Sequence, residues 1–137
     1  MTESIRENIV KLSRLISEAE EKAKENSEMT DLTATQINYL ETIGELGNPS
    51  ITELSLALKL KKPSVTVVVD RLIQKGCVYK IHSDDDRRSL HLHLTDVGKQ
   101  INKRHEFAHQ YLIDFFSSKL NVEELQKLNE IFDKIVK

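Results

Sequence analysis

The chain has 137 residues, one cysteine, four glycines, two prolines, no tryptophan and a net charge of −2. That length suits one domain with a sizeable core, and a lone thiol excludes an internal disulfide framework and agrees with a reducing compartment. No apolar run reaches the roughly 18–20 residues of a membrane span, and the opening MTESIRENIV lacks the basic-then-apolar order of an export signal, so a cytoplasmic protein is expected.

The charge is unevenly spread. Between Lys59 and Tyr79 five basic residues (Lys59, Lys61, Lys62, Arg71, Lys75) face Asp70 alone, whereas Thr2–Thr30 holds five basic and seven acidic residues. A basic middle in a mildly acidic whole predicts one local surface that faces an anion.

In chain order, Ile5, Ile9, Leu12, Leu15, Ile16, Ala19 and Ala23 recur with helical spacing and predict a long helix over 3–26. A polar stretch, 25–31, then loops. LTATQINYLETIGELGNPS predicts a second helix, with Thr33 and Gln36 as a capping box, Ile37, Leu40, Ile43 and Gly44 on one face, and Gly47-Asn48-Pro49 as the stop. A short helix capped by Thr52 follows to about Leu58, with Leu54, Ala57 and Leu58 inward. After the turn KLKK, Pro63 in the first turn opens a helix to about Gln74. VTVVV within it favours a strand by propensity, but Gly76 as a stop and the spacing of Val65, Val68, Val69, Leu72 and Ile73 favour a helix. CVYKIH and SLHLHL alternate and flank SDDDRR, which predicts a hairpin. Thr95 caps a helix from Asp96 to about Ser118, with Val97, Ile101, Ala108, Leu112 and Phe115 or Phe116 as its stripe. Asn121 caps the last one, with Val122, Leu125, Leu128, Phe132 and Ile135 on one face. The fold class is mainly α with a small β-hairpin wing, a winged helix-turn-helix between long N- and C-terminal dimerisation helices.

That order suits double-stranded DNA. A helix fits the major groove, and the exposed positions of the helix after KLKK are Lys62, Ser64, Thr66, Val67, Asp70 and Arg71. Its first N–H groups favour a phosphate. Arg87 or Arg88 at the hairpin tip suits the negative potential of a narrow minor groove. Asp86 would repel phosphate as a contact but can aim a guanidinium through a bidentate pair. The apolar stripes of the first and last helices exceed what a small winged core can cover, which predicts a two-fold mate.

From Leu32 to Gly98 the chain resembles the MarR family of winged-helix transcriptional regulators. The residues that carry the resemblance are LTATQINYLETI, ITELSLALKLKKPSVTVVVDRLIQKGCV and DDDRRSLHLHLTDVGK, including Asp86-Arg87-Arg88-Ser89 and Leu94-Thr95-Asp96-Val97-Gly98. The resemblance implies a cytoplasmic homodimer that binds a pseudo-palindromic operator, usually to repress, and needs no cofactor. It places a dimerisation helix in 1–31, the DNA-binding region in 32–98 and further dimerisation helices in 99–137. It makes Arg88 the minor-groove arginine and Asp86 its brace. Ser64, Thr66, Val67 and Arg71 fall on its recognition helix, with Lys61 and Lys62 as phosphate contacts.

A small-molecule effector is left open by the resemblance, with Tyr39, Phe107, Tyr111, Phe115 and Phe116 as pocket candidates beside a plain core reading. His105 and His109, spaced i, i+4, share a helix face and offer half of a zinc shell. Zinc-responsive members also use ligands at the start of the second helix, where this chain has Ile37 and Asn38. The wing phrasing is similar to members that respond to acyl carriers. His91 and His93 share a strand face, with His82 across the hairpin, and read as polar wing residues, while Cys77 reads as inert packing. Two readings lie outside the family. HEFAH (105–109) matches the zinc-peptidase string, but a chain this short offers no evident cleft. A winged-helix module that binds protein instead of DNA would lack steep salt dependence.

Overall fold

The computed structural model describes residues 1–24, 32–82 and 89–136. Its elements are α1 (Thr2–Lys24), α2 (Ala34–Leu46), α3 (Ile51–Leu58), α4 (Lys62–Gln74), β1 (Val78–His82), β2 (Leu90–Leu94), α5 (Asp96–Lys119) and α6 (Val122–Val136). The chain divides into two compact units. One comprises Met1–Ser27 with His105–Lys137, and the other, the winged unit, runs from Glu28 to Arg104. No helix among the described residues is long and apolar enough to cross a membrane.

In the winged unit the starts of α2 and α3 are each set by a local polar exchange. Thr33 Oγ1 accepts from the Gln36 N–H at 3.1 Å while Gln36 Oε1 accepts from the Thr33 N–H at 3.0 Å, the expected capping box. The cap of α3 is Ser50 rather than Thr52. Its hydroxyl accepts from the Glu53 N–H at 3.1 Å and Glu53 reaches back to the Ser50 N–H. Serine three places before a glutamate was the available signal, and it outcompetes the nearer threonine. Ser55 rather than Ala57 faces the core beside Leu54, and Ser55 satisfies its hydroxyl on the Ile51 carbonyl at 2.7 Å. In α2 the inward face is Gln36, Tyr39, Leu40 and Ile43, with Ile37 half-buried and Gly44 exposed.

The core of this unit joins Tyr39, Leu40 and Ile43 of α2, Leu54 of α3, Val65, Val69 and Leu72 of α4, Cys77, Val78, Leu92, and Ile101 of α5. The VTVVV run is therefore helical, with Val65 and Val69, four residues apart, buried and Val67 exposed. The strands pair antiparallel, Val78 with Leu94 through His82 with Leu90. Paired residues share a sheet face, so His82 lies on the face of Leu90 and Leu92, opposite His91 and His93. The outer edge of β2 is also engaged, because Leu92 N–H donates to the Pro49 carbonyl at 2.8 Å and Ser50 bridges His91.

The Leu94-Thr95-x-x-Gly98 stretch has a mechanical explanation. The Thr95 hydroxyl donates to the Gly76 carbonyl and accepts the Gly98 N–H at 3.1 Å, and the Thr95 N–H donates to the Cys77 carbonyl at 3.0 Å. A Cβ on Gly98 would sit 2.3 Å from that same Cys77 oxygen. Glycine is thus required by the close approach of α5 to the start of the wing.

In the other unit the only buried side chains among the described residues are alanines. Ala19 and Ala23 of α1 meet Ala108 of α5, with Tyr111 and Leu112 beside them. Asn121 caps α6 through a reciprocal exchange with Glu124, yet α6 buries no residue.

Candidate nucleic-acid interface

The interface candidate is built on α3, the turn and α4. Lys59 closes α3 in the left-handed region at φ 58°, with its N–H on the Leu56 carbonyl at 3.3 Å, and Leu60 N–H donates to Ser55 at 3.1 Å. This tight stop lets the chain reverse within Lys59–Lys61 and start α4 at once. Lys61 supplies no side-chain cap to α4. The first N–H groups of α4 therefore keep their donors for an outside acceptor, and Lys61 and Lys62 stand exposed beside them.

With Val65, Val69 and Leu72 fully buried, the opposite side of α4 presents Ser64, Val67 and Arg71, all exposed, at a spacing of three and four residues. Thr66 is half-buried, and its hydroxyl donates to the Lys62 carbonyl at 2.9 Å, so its one donor is spent on its own helix. Asp70 is the acidic residue of this helix, and it is held 3.6 Å from the Lys80 ammonium of β1. That pairing offsets part of the repulsion a lone carboxylate would exert on phosphate, while as a solvent-exposed pair it adds little to stability. Lys80 was not singled out from sequence. Strand alternation places Lys80 on the face of Val78, but its acidic partner is set by how β1 lies against α4. Lys75 Nζ also donates to Gln36 Oε1 at 3.0 Å, which ties the end of α4 to the capping box of α2.

Asp86, Arg87 and Arg88, expected at the wing tip, lie outside the described residues. His105 and His109 stand on one face of α5 with ring centroids 6.0 Å apart, edge to face. Two imidazoles supply two of the four ligands of a zinc site. Of the pocket candidates, Tyr39 is 2% exposed and fills the core of the winged unit, where burial raises the pKa of its phenol. Phe107 is half exposed, Phe115 exposed and Phe116 half-buried, and Tyr111 lies against the alanine cluster of the other unit. Cys77 is fully buried, and burial outweighs the opposing charge of Lys75 to raise its thiol pKa. It is placed as packing.

A helix-turn-helix with an open helix start, free basic residues and a two-stranded wing defines a winged-helix protein of the DNA-binding class. The MarR family model matches residues 32–90. Among curated proteins, the transcriptional repressor MprA of Escherichia coli is 30% identical over 136 residues, 91% of this chain and 74% of MprA. The uncharacterized HTH-type transcriptional regulator YpoP of Bacillus subtilis is 28% identical over 108 residues, 78% of this chain and 76% of YpoP. Among solved structures, a mutant of MarR from E. coli complexed with operator DNA superposes with a TM-score of 0.60 at 27% identity, covering 95% of this chain and 96% of that one. Streptococcus pneumoniae FabT in complex with DNA shares the fold, with a TM-score of 0.78 at 22% identity over 98% and 94% of the two chains. The chain belongs to the MarR family and is a DNA-binding transcriptional regulator.

Proposed function

We propose that two copies of this chain form a ligand-responsive repressor on a pseudo-palindromic operator, each setting α4 in the major groove and Arg88, braced by Asp86, in the adjacent minor groove. The observation that carries the reading is the exposed face of α4, where Lys61, Lys62, Ser64, Val67 and Arg71 are unburied and Asp70 is paired with Lys80. The dimer rests on the apolar faces of α1 and α6. Ile5, Ile9, Leu12 and Ile16 of α1 and Ile131, Phe132 and Ile135 of α6 are all exposed in one copy.

The test is to select bound fragments from genomic DNA of the source at fixed salt, with the wild type beside Arg88→Ala. The wild type is expected to enrich a short inverted repeat, with half-sites about one turn apart, that the variant enriches weakly. On that repeat, replacing Lys61 and Lys62 by glutamine should flatten the dependence of log affinity on log salt by about 3.6, from four lost phosphate contacts in the dimer. An unchanged slope would remove those two lysines from the interface. Failure of the wild type to enrich any fragment would sink the operator reading.

A further inference from the structure

Val67 is 55% exposed, whereas Val65 and Val69 on the same helix are fully buried. The core therefore accounts for its neighbours and leaves Val67 without a structural task. Its surroundings sharpen the point. The side chains of Ser64 and Arg71, one turn away on either side, have no hydrogen bond or ion pair among the described residues, the Thr66 hydroxyl is turned back onto the helix, and Asp70 is engaged by Lys80. An apolar β-branched side chain thus stands at the centre of a polar stripe whose other members are available to a partner.

In the major groove the base edges present mainly donors and acceptors, and the one protruding apolar group is the C5 methyl of thymine. Valine set against any other edge would leave a polar group without a partner, which costs affinity. A β-branched side chain also has one strongly preferred rotamer in a helix, so its methyl groups point in a fixed direction with little entropy to lose. We propose that Val67 reads the methyl group of one thymine in each half-site and so acts as the apolar specificity determinant of α4. The inference rests on α4 being the recognition helix.

Uracil tests it directly, because it lacks the thymine methyl and keeps the same hydrogen-bonding edge. In the selected operator, each thymine of a half-site is replaced in turn by uracil, and affinity is measured for the wild type, Val67→Ser and Val67→Ala. For the wild type, one position per half-site should cost about fourfold, the factor for burying one methyl-sized group, and about sixteenfold when both half-sites are changed. The two variants should bind thymine and uracil operators equally at that position, with an unchanged salt slope showing that their phosphate contacts are intact. If uracil costs the wild type nothing at every thymine, or costs all three proteins the same, Val67 does not read a methyl group although α4 still binds DNA. If the Val67 variants keep full affinity while Arg71→Ala and the Lys61/Lys62 variant also do, α4 itself is not the reading helix and the inference falls with it.

Discussion

The two units of the chain are stabilised in different ways. The winged unit encloses eleven buried apolar residues drawn from α2, α3, α4, the start and strands of the wing, and the start of α5. The unit of α1, α6 and the rest of α5 buries three alanines and leaves isoleucines and phenylalanines in solvent. Alanine burial removes little apolar area from water, and large exposed apolar faces mark surfaces meant for covering. The first unit is complete in one copy, and the second is half of something. One sequence therefore carries two kinds of apolar pattern, one that closes on itself and one that needs a mate.

The largest effect should come from breaking the second pattern. Ile9→Asp puts a charge on the exposed face of α1 in both protomers at once. Losing two isoleucine contacts of about 1.5–3 kcal/mol each predicts a dimer dissociation constant at least about 100-fold higher by sedimentation, while the winged unit keeps its structure. An unchanged constant would place α1 outside the interface.

Gly98→Ala tests the first pattern. The added methyl meets the Cys77 carbonyl, a backbone atom that cannot swing aside, so a loss of about 3 kcal/mol and a melting point about 10 °C lower are expected. Dimerisation should be little changed if the units hold together separately. A variant as stable as the wild type would mean that α5 can lift off the wing at no cost.

The smallest effect is the titration of Cys77. Burial raises its pKa above the usual value near 9.0. Below that value both the folded and the unfolded chain hold the thiol proton, and the stabilisation is fully present. As pH rises past it, unfolded chains ionise first, so stability falls until the folded thiol also ionises. Urea midpoints at pH 8 and pH 10 should therefore fall more for the wild type than for Cys77→Ala. Equal falls would show a thiol that is solvated in the folded state.

Much of this contrast could be read from the chain before any coordinates. Periodicity located the helices because apolar residues at three- and four-residue spacing have no other regular use, and Gly76 and Pro63 overruled the strand propensity of VTVVV. The faces were harder. Ile37 outranks Gln36 in hydrophobicity, yet Gln36 is buried because its side chain is held by the Thr33 N–H and by Lys75, partners that propensity does not reveal. Ser50 displaced Thr52 as the cap for a similar reason, since the reciprocal bond with Glu53 decides. At the interface, the basic residues of α4 were legible as a cluster. The consumption of the Thr66 hydroxyl and the pairing of Asp70 with Lys80 depend on the helix's own carbonyls and on the sheet register, and neither is written in residue spacing.

Ser50 has a further consequence. It starts α3 with its side chain and bridges the wing at His91 with its backbone, while Pro49 beside it accepts from Leu92. Surface connections generally absorb extra residues cheaply. Gly47–Ser50 should not, because a single inserted residue would put the helix start and the sheet edge out of step with each other. Insertion scanning across the chain would then show a short intolerant gap at an otherwise polar turn. Lengthening during divergence would be channelled elsewhere, and relatives aligned by structure would keep this connection at constant length even where its residues change.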